Sequence, residues 1–331
     1  MRPFFALREQ ALELLGEKGV SGIRILRQAA RDLQRTFAAP PVPTYPISIS
    51  EIRETLIALG IGEGDLVHVH ASIQHLMRGS TRPPAEPVPG QRTYAKAQLA
   101  LLLDLVGEEG TLSMATDFNR PAGWLKRLVA GAELDEDVFD PARSPSYRGL
   151  LSEYFRRRPD VHRSVHPFYN VTAWGRHAVD LVGEHHLSTP YVQDVHSPWY
   201  KITARGGKVL LLGRTFDVNS MVHLVEYLHP DEYPRPLFLS GPVPMYYLDA
   251  SGARQRIDVL LHNSGVPGSP LYIPQALFKF ADYIDERHHV YRRKPFHEDV
   301  GIVCYDAQAQ YDAFLQEMRN NVTWYDPQFL R

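Results

Sequence analysis

The chain of 331 residues predicts an α/β fold, with a mixed central sheet flanked by helices on both faces and an added antiparallel hairpin. Three observations predict it. Strand-like apolar runs (DLVHVHAS, 65–72; GTLSMATDF, 110–118; NVTAWG, 170–175; GKVLLLG, 207–213) alternate with stretches of helical periodicity. Hydrophobic residues make up 44% and charged residues 22%, enough to bury a core in one large domain or two modest ones. The segment PMYYLDASGARQRIDVLL pairs two strand-like runs about a turn at Asp249–Gly252.

Residues 4–36 carry apolar positions at helical spacing, and AAPPVPTYPIS (38–48) is proline-rich and extended. Residues 1–45 are therefore expected to form an N-terminal helical appendage and linker, and 46–331 the main domain. Ser48, three residues before Glu51, predicts a capped helix that ends near Leu59, where Gly60, Gly62 and Gly64 stop it. The strand 65–72 ends in small residues, and 81–92 reads as a loop. AKAQLALLLDLVG (95–107) is helical and leads into the strand 110–118. Residues 131–146 are acidic and turn-rich. YRGLLSEYFRRR (147–158) is a helix ended by Pro159. After the strands at 170–175 and 207–213, FDVNSMVHLVEYLHP (216–230) reads as a helix launched from a buried strand. No internal repeat or low-complexity tract is present.

Composition excludes several classes. A net charge of −2 without a basic tract gives no pull toward nucleic acid. A single cysteine, Cys304, rules out an internal disulfide framework. The longest apolar runs, such as LALLLDLV (99–106), are too short to span a bilayer. The opening MRPFFALREQALELL has charges within its apolar stretch and does not read as a signal peptide. A cytoplasmic enzyme is the expectation.

The chemistry concentrates in a few places. His223 and Glu226 are three apart, so a helix puts both on one face, with Asn219 as its N-cap. An amine that attacks a thioester must shed a proton, and histidine is the usual base for that. A nearby carboxylate can orient the ring or hold the incoming ammonium. The bland alternative is an exposed helix histidine beside a solvated glutamate. His166 precedes Pro167, which holds it extended as a contact near a cleft or as a hydrogen-bonded loop residue. His68 and His70 share one strand face. His68 suits a satisfied core position; beyond His70, Ala71 and Ser72 turn the chain so that backbone N–H groups and a hydroxyl can meet a diphosphate. Arg156, Arg157, Arg158 and Arg163 surround Pro159 and offer cations for phosphate, although 156–158 also suit a helix C-terminus. The acidic stretch 133–140 is either a mouth for a cationic amine or a surface loop. Asp217 precedes the 216–230 helix as an acceptor contact or a turn cap.

LGIGEGDLVHVHASI, FDPARSPSYRGLLSEYFRRRPDVHRSVHPFYNVTAWG, SPWYKI, GGKVLLLG and DVNSMVHLVEY occur in that order. Together they resemble the aminoglycoside 3-N-acetyltransferase family over roughly residues 48–310. The resemblance implies transfer of an acetyl group from acetyl-CoA to an amino-sugar nitrogen. It places the catalytic histidine at His223, with Glu226 as its partner and His166 as a further site residue. It implies a CoA site lined by His70, Ala71, Ser72, Gly79 and Ser80, with Thr116 near the thiol arm and Arg163 and Ser164 at the phosphates. Asp217, Asn219 and Asn170 become acceptor contacts. Two departures stand out: Ala71–Ser72 replaces a Ser-Ser pair, and His166–Pro167–Phe168–Tyr169–Asn170 replaces a His-Pro-Thr-His-Ser run. A small-molecule amine, no metal, no nucleic acid and no membrane are expected, and a homodimer is plausible by resemblance. Two other readings stay open. One is a metal-dependent hydrolase using His68, His70, His166, His185, His186 and His196. The other is a non-catalytic member of the family.

Overall fold

The computed structural model describes residues 43–118, 138–214, 216–234, 236–239, 241–262, 274–297 and 300–329. Thr44–Arg331 forms one compact unit. The expected helix at 4–36, the linker up to residue 42 and most of the acidic stretch, 131–137, lie outside the described residues.

The chain enters through α1 (Ile49–Ala58), where Ser48 Oγ accepts the Glu51 N–H at 3.1 Å, the expected cap. Leu59 closes the helix, and Gly60, at φ 86°, turns the chain away. Strand β1 (Leu66–Ala71) runs into the single turn α2 (Ile73–Leu76). Helix α3 (Gln91–Val106) starts four residues earlier than its apolar run and packs behind β2 (Thr111–Ala115). The short β3 (Val138–Phe139) precedes α4 (Leu150–Arg156), which starts later than expected because Gly149, at φ 105°, precedes it. Next come β4 (His162–Arg163), β5 (Val171–Gly175), α5 (Ala178–Gly183) and α6 (Pro198–Ala204), whose Ser197 Oγ caps the Tyr200 N–H. Strand β6 (Lys208–Leu212) leads to α7 (Leu224–Leu228) through two 3₁₀ turns. The hairpin β7 (Val243–Leu248) and β8 (Arg254–Val259) follows, then α8 (Pro274–His288), β9 (Arg292–Pro295), β10 (Gly301–Asp306) and α9 (Ala307–Arg319).

The seven-stranded sheet has the order β4-β5-β2-β1-β6-β10-β9. Its centre, β2-β1-β6, is parallel, and its flanks are antiparallel. The hairpin is antiparallel and turns where expected, with Asp249 Oδ1 accepting the Ser251 and Ala253 N–H groups. It does not extend the central sheet. It pairs with β3 in a separate three-stranded sheet.

Alternation on β1 assigns the two faces. Val67 and Val69 join Leu112, Met114, Leu210, Leu212, Ile302 and Cys304 in a core with α1, α3 and α4. The opposite face carries Val209, Leu211, Val171, Ala173 and Val303 under α5 to α9. His68 and His70 point to this second face, between the sheet and Trp199. Because β1, β2 and β6 run parallel, their C-terminal ends share one edge, the usual place for a site in such a sheet. Among the described residues, no helix is long and apolar enough to cross a membrane.

Candidate active site

Strand β6 ends at Leu212, and Gly213 follows at φ 86°, where a Cβ would lie 2.7 Å from the Ser72 carbonyl oxygen. Only glycine lets the chain leave β6 this close to the turn after β1. The segment that follows is a broken helix rather than the continuous one expected. Two 3₁₀ turns, Phe216–Val218 and Ser220–His223, flank an extended Asn219. Asn219 Oδ1 accepts from the Met221 N–H at 3.1 Å and from the Tyr305 hydroxyl at 2.8 Å, and its Nδ2 donates to Gln310 Oε1 at 2.9 Å. Nearly fully buried and internally bonded, Asn219 anchors the segment to β10 and α9.

His223 and Glu226 nevertheless meet. His223 Nδ1 lies 2.6 Å from Glu226 Oε2, with the imidazole side chain 19% exposed and the carboxylate fully buried. Glu226 gathers three more donors. His262 Nε2 lies 2.9 Å from Oε2, Trp324 Nε1 donates to Oε1 at 3.0 Å, and the Tyr233 hydroxyl donates at 3.4 Å. Burial opposes the charge on Glu226, but His262 and His223 outweigh it and hold the carboxyl well below the usual carboxylate range. An ionised Glu226 accepts from the Nδ1–H of His223, which leaves the lone pair of a neutral ring on Nε2. That nitrogen has no hydrogen-bond partner among the described residues.

Trp324 and His262 come from distant segments and Tyr233 from seven residues further on, and none was singled out from the sequence. Their signal is three-dimensional: a buried carboxylate needs donors, and the fold brings them to it.

His70 Nε2 stands 3.5 Å from Ser220 Oγ, which also accepts from Trp199 Nε1 at 2.9 Å. Burial, then His68 and Arg148, push the proton affinity of His70 well below the ordinary imidazole range, so it is neutral. His68 is likewise lowered, to about 3, by burial and Arg148. Ser72 Oγ pairs with His75 Nδ1 at 2.7 Å, and Ala71 ends β1 beside Leu212 of β6. Gly79 is buried against Ile47 and Val300, and the backbone of Ser80 pairs with Tyr45.

Other expected residues form a second, fully internal network. The Ser164 hydroxyl accepts the Val171 N–H at 2.9 Å and lies 3.0 Å from His185 Nδ1. His166 stacks on His185 with ring centroids 4.5 Å apart, and its Nε2 lies 3.2 Å from the Ser188 carbonyl. Thr116 Oγ1 bonds Thr172 Oγ1 at 2.9 Å and donates to Asn170 Oδ1 at 3.3 Å. Arg163 donates to Asn170 Oδ1 and to the carbonyls of Pro141, Ser144 and Thr116, with its guanidinium over the Phe139 ring. Burial, then the neighbouring Arg156, lower its proton affinity to about 9. Arg163 thus ties four segments together, with four of its five N–H groups engaged in those bonds. The side chain of Asp217 lies outside the described residues.

The six histidines considered as metal ligands do not gather. Among the described residues, the group that could hold an ion is His223, Glu226 and His262, whose ligand atoms lie within 4.8 Å of one another.

Residues 69–264 match the model of the aminoglycoside 3-N-acetyltransferase family. The chain belongs to that family. As a member it is an enzyme of the CoA-dependent N-acetyltransferase class. It is 32% identical over 199 residues to the SPbeta prophage-derived aminoglycoside N(3')-acetyltransferase-like protein YokD of Bacillus subtilis (strain 168), covering 56% of this chain and 67% of that protein. It is 29% identical over 209 residues to aminoglycoside N(3)-acetyltransferase VII of Streptomyces paromomycinus, covering 59% and 68%. In fold it is similar to the AAC-IIIb binary complex with CoASH, at a TM-score of 0.64 and 23% identity over 83% of this chain and 97% of that one. It is also similar to AAC-VIa bound to sisomicin, at a TM-score of 0.61 and 21% identity over 83% and 98%. The acetyltransferase match ends before Trp324, so one donor to the buried Glu226 comes from beyond it.

Proposed function

We propose that this acetyltransferase moves an acetyl group from acetyl-CoA to the amine of an amino sugar or related small molecule, with His223 as general base. The observation that carries the reading is the pairing of His223 Nδ1 with the buried Glu226 at 2.6 Å, which leaves Nε2 unpaired on a partly exposed ring. The amine nitrogen attacks the thioester carbonyl, forming the C–N bond as the C–S bond breaks. Nε2 takes the proton from nitrogen and then delivers it to the CoA sulfur. Glu226 stabilises the imidazolium between those two transfers. The acetyl donor is placed at the C-terminal ends of β1 and β6, where His70, Ser72 and Ser220 stand. The catalytic domain is placed at 46–331, with 1–45 as an appendage. The relatives' names, an aminoglycoside N(3)-acetyltransferase among them, support an amino-sugar acceptor.

The test is thiol release from acetyl-CoA against a panel of amino sugars. His223→Ala is expected to abolish turnover while the Kd for CoA changes little; retained turnover removes His223 from the mechanism. The metal reading is favoured by the His223–Glu226–His262 group alone. Its contacts at 2.6 and 2.9 Å are hydrogen-bond lengths, whereas tetrahedral zinc ligands at ~2.0 Å from the ion sit about 3.3 Å apart. Stoichiometric zinc in the purified protein, lost in His262→Ala, would support the metal reading instead.

A further inference from the structure

The three-stranded sheet is separate from the central one, and His262 is where it reaches the candidate site. His262 follows β8 and pairs its backbone with Phe238 in an antiparallel bridge. On the same stretch the Leu261 carbonyl accepts the Leu239 N–H at 3.0 Å, and the Leu260 N–H donates to the Pro190 carbonyl at 2.8 Å. The ring is enclosed by other rings: Tyr325 stacked with centroids 6.3 Å apart, Phe238 edge-on at 5.5 Å and Tyr227 tilted at 6.3 Å. Backbone pairing and ring packing together hold Nε2 at 2.9 Å from Glu226 Oε2, with the Tyr325 hydroxyl 3.4 Å from the same nitrogen.

One carboxylate oxygen therefore serves two imidazoles. His223 Nδ1 lies 2.6 Å from Oε2 and His262 Nε2 lies 2.9 Å from it, with the two rings 5.2 Å apart and tilted by 51°, so they approach from different directions. An ionised carboxylate only accepts, so both nitrogens carry their protons toward Oε2. The short contact to His223 creates a competing path during catalysis. Once His223 Nε2 has taken the amine proton, the Nδ1 proton can cross to Oε2: the N–H bond breaks, an O–H bond forms, and a buried ion pair becomes a neutral pair, which burial favours. A neutral imidazole is then left holding the Nε2 proton, and it is far too weak an acid to give that proton to a thiolate. A hydrogen bond donated to a charged oxygen is roughly twice as strong as one donated to a neutral oxygen, so a second donor on Oε2 opposes the crossing.

We propose that His262 is a positioning residue for acetyl transfer: its Nε2–H, seated on Glu226 Oε2, keeps the Nδ1 proton on His223, so that the ring remains an imidazolium until sulfur takes the Nε2 proton. This deepens the acetyl-transfer reading and rests on His223 as its base. It also gives the hairpin sheet a task at the site, since the bridge to Phe238 and the turn after β8 deliver the second imidazole.

The experiment reads the protons directly. The full chain is labelled with ¹⁵N in its histidine rings, His223 and His262 are assigned from His223→Ala and His262→Phe, and the ring nitrogens are followed to the acid side, where His223 takes its second proton. In the parent, both His223 nitrogens and His262 Nε2 are expected to carry protons. In His262→Phe, which keeps a ring in the aromatic cage and loses the donor, His223 Nδ1 should move toward the shift of an unprotonated nitrogen. In His262→Gln, whose amide N–H can take the place of Nε2–H, it should move back. With acetyl-CoA and sisomicin, kcat should fall at least about tenfold in the Phe variant and largely recover in the Gln variant, while both KM values change little. A melting curve accompanies each variant; if His262→Phe does not fold, His262→Met supplies the side chain without a donor. A His223 Nδ1 that stays protonated without the donor overturns the proposal, as does a parent in which His262 Nε2 carries no proton. A folded donor-free variant with kcat within about threefold of the parent overturns it too. The nitrogen shifts need no turnover, so they stand apart from the acetyl-transfer reading, which falls if His223→Ala keeps its activity.

Discussion

Replacing Glu226 by Gln tests the catalytic pair without altering its volume. Glu226 Oε2 accepts from two imidazoles, while Oε1 accepts from Trp324 and Tyr233. A glutamine has one acceptor oxygen, so one side must face an NH₂ group. The indole of Trp324 can only donate, whereas an imidazole can exchange tautomers. The lower-energy orientation therefore turns the amide oxygen to Trp324 and the NH₂ to the histidines. His223 then accepts at Nδ1 and carries its proton on Nε2, the nitrogen that should act as base. The imidazolium also loses its charged partner, a bond worth about 1.5–3 kcal/mol. Together these predict a fall in kcat of roughly 10²–10⁴-fold, at about 1.4 kcal/mol per decade. The Kd for CoA is expected to hold, since the carboxylate is fully buried. Glu226→Asp, which keeps the charge, should retain more activity than the Gln variant. Thiol-release kinetics with parallel melting curves decide the matter. A folded Glu226→Gln enzyme whose kcat lies within about threefold of the parent would refute the tautomer argument.

Two further outcomes follow from the same contacts. Trp324→Phe removes the Nε1 donor at 3.0 Å and leaves Glu226 Oε1 with Tyr233, so stability should drop by about 1–2 kcal/mol, read from denaturant midpoints. His68 is held neutral with its folded value near 3 against 6.5 for an exposed ring, so below 6.5 the unfolded chain binds the proton more readily than the folded one. Stability from this group is therefore intact above pH 6.5 and lost as pH falls toward 3, by about 2 kcal/mol at pH 5; His68→Gln should flatten that slope in melting temperature against pH.

What was legible in the sequence is what is local. The His223–Glu226 contact spans three residues, so it survives even though the expected helix is split by Asn219. The central strands announce themselves as apolar runs, and the cap at Ser48 needs only its own turn. Strand β10, with GIVCYD, pairs against β6 between it and the edge strand β9, yet its run is short and its antiparallel place depends on a partner some ninety positions earlier. The donors on Glu226 were invisible for the same reason, Trp324 being 98 positions away. Arg163 shows what local reading leaves out: a cation near a proline loop suggests phosphate, and the fold also sets its guanidinium among the carbonyls of Pro141, Ser144 and Thr116, partners that no local pattern announces.

The histidines sort by burial in a way that confines proton transfer. His68, His70 and His185 are each enclosed, and burial drives all three toward the neutral ring. They serve as fixed hydrogen-bond partners and do not exchange protons near neutral pH. His223 differs in having an exposed edge, an open Nε2 and an ionised carboxylate behind Nδ1. Glu226 stays charged at zero exposure because donors from four segments converge on it, so the charge proposed to support catalysis is also a joint of the fold. Loosening any of those segments should therefore reach the reaction through Glu226 before it reaches global stability, which is the reason to measure kcat and melting together in every variant named above.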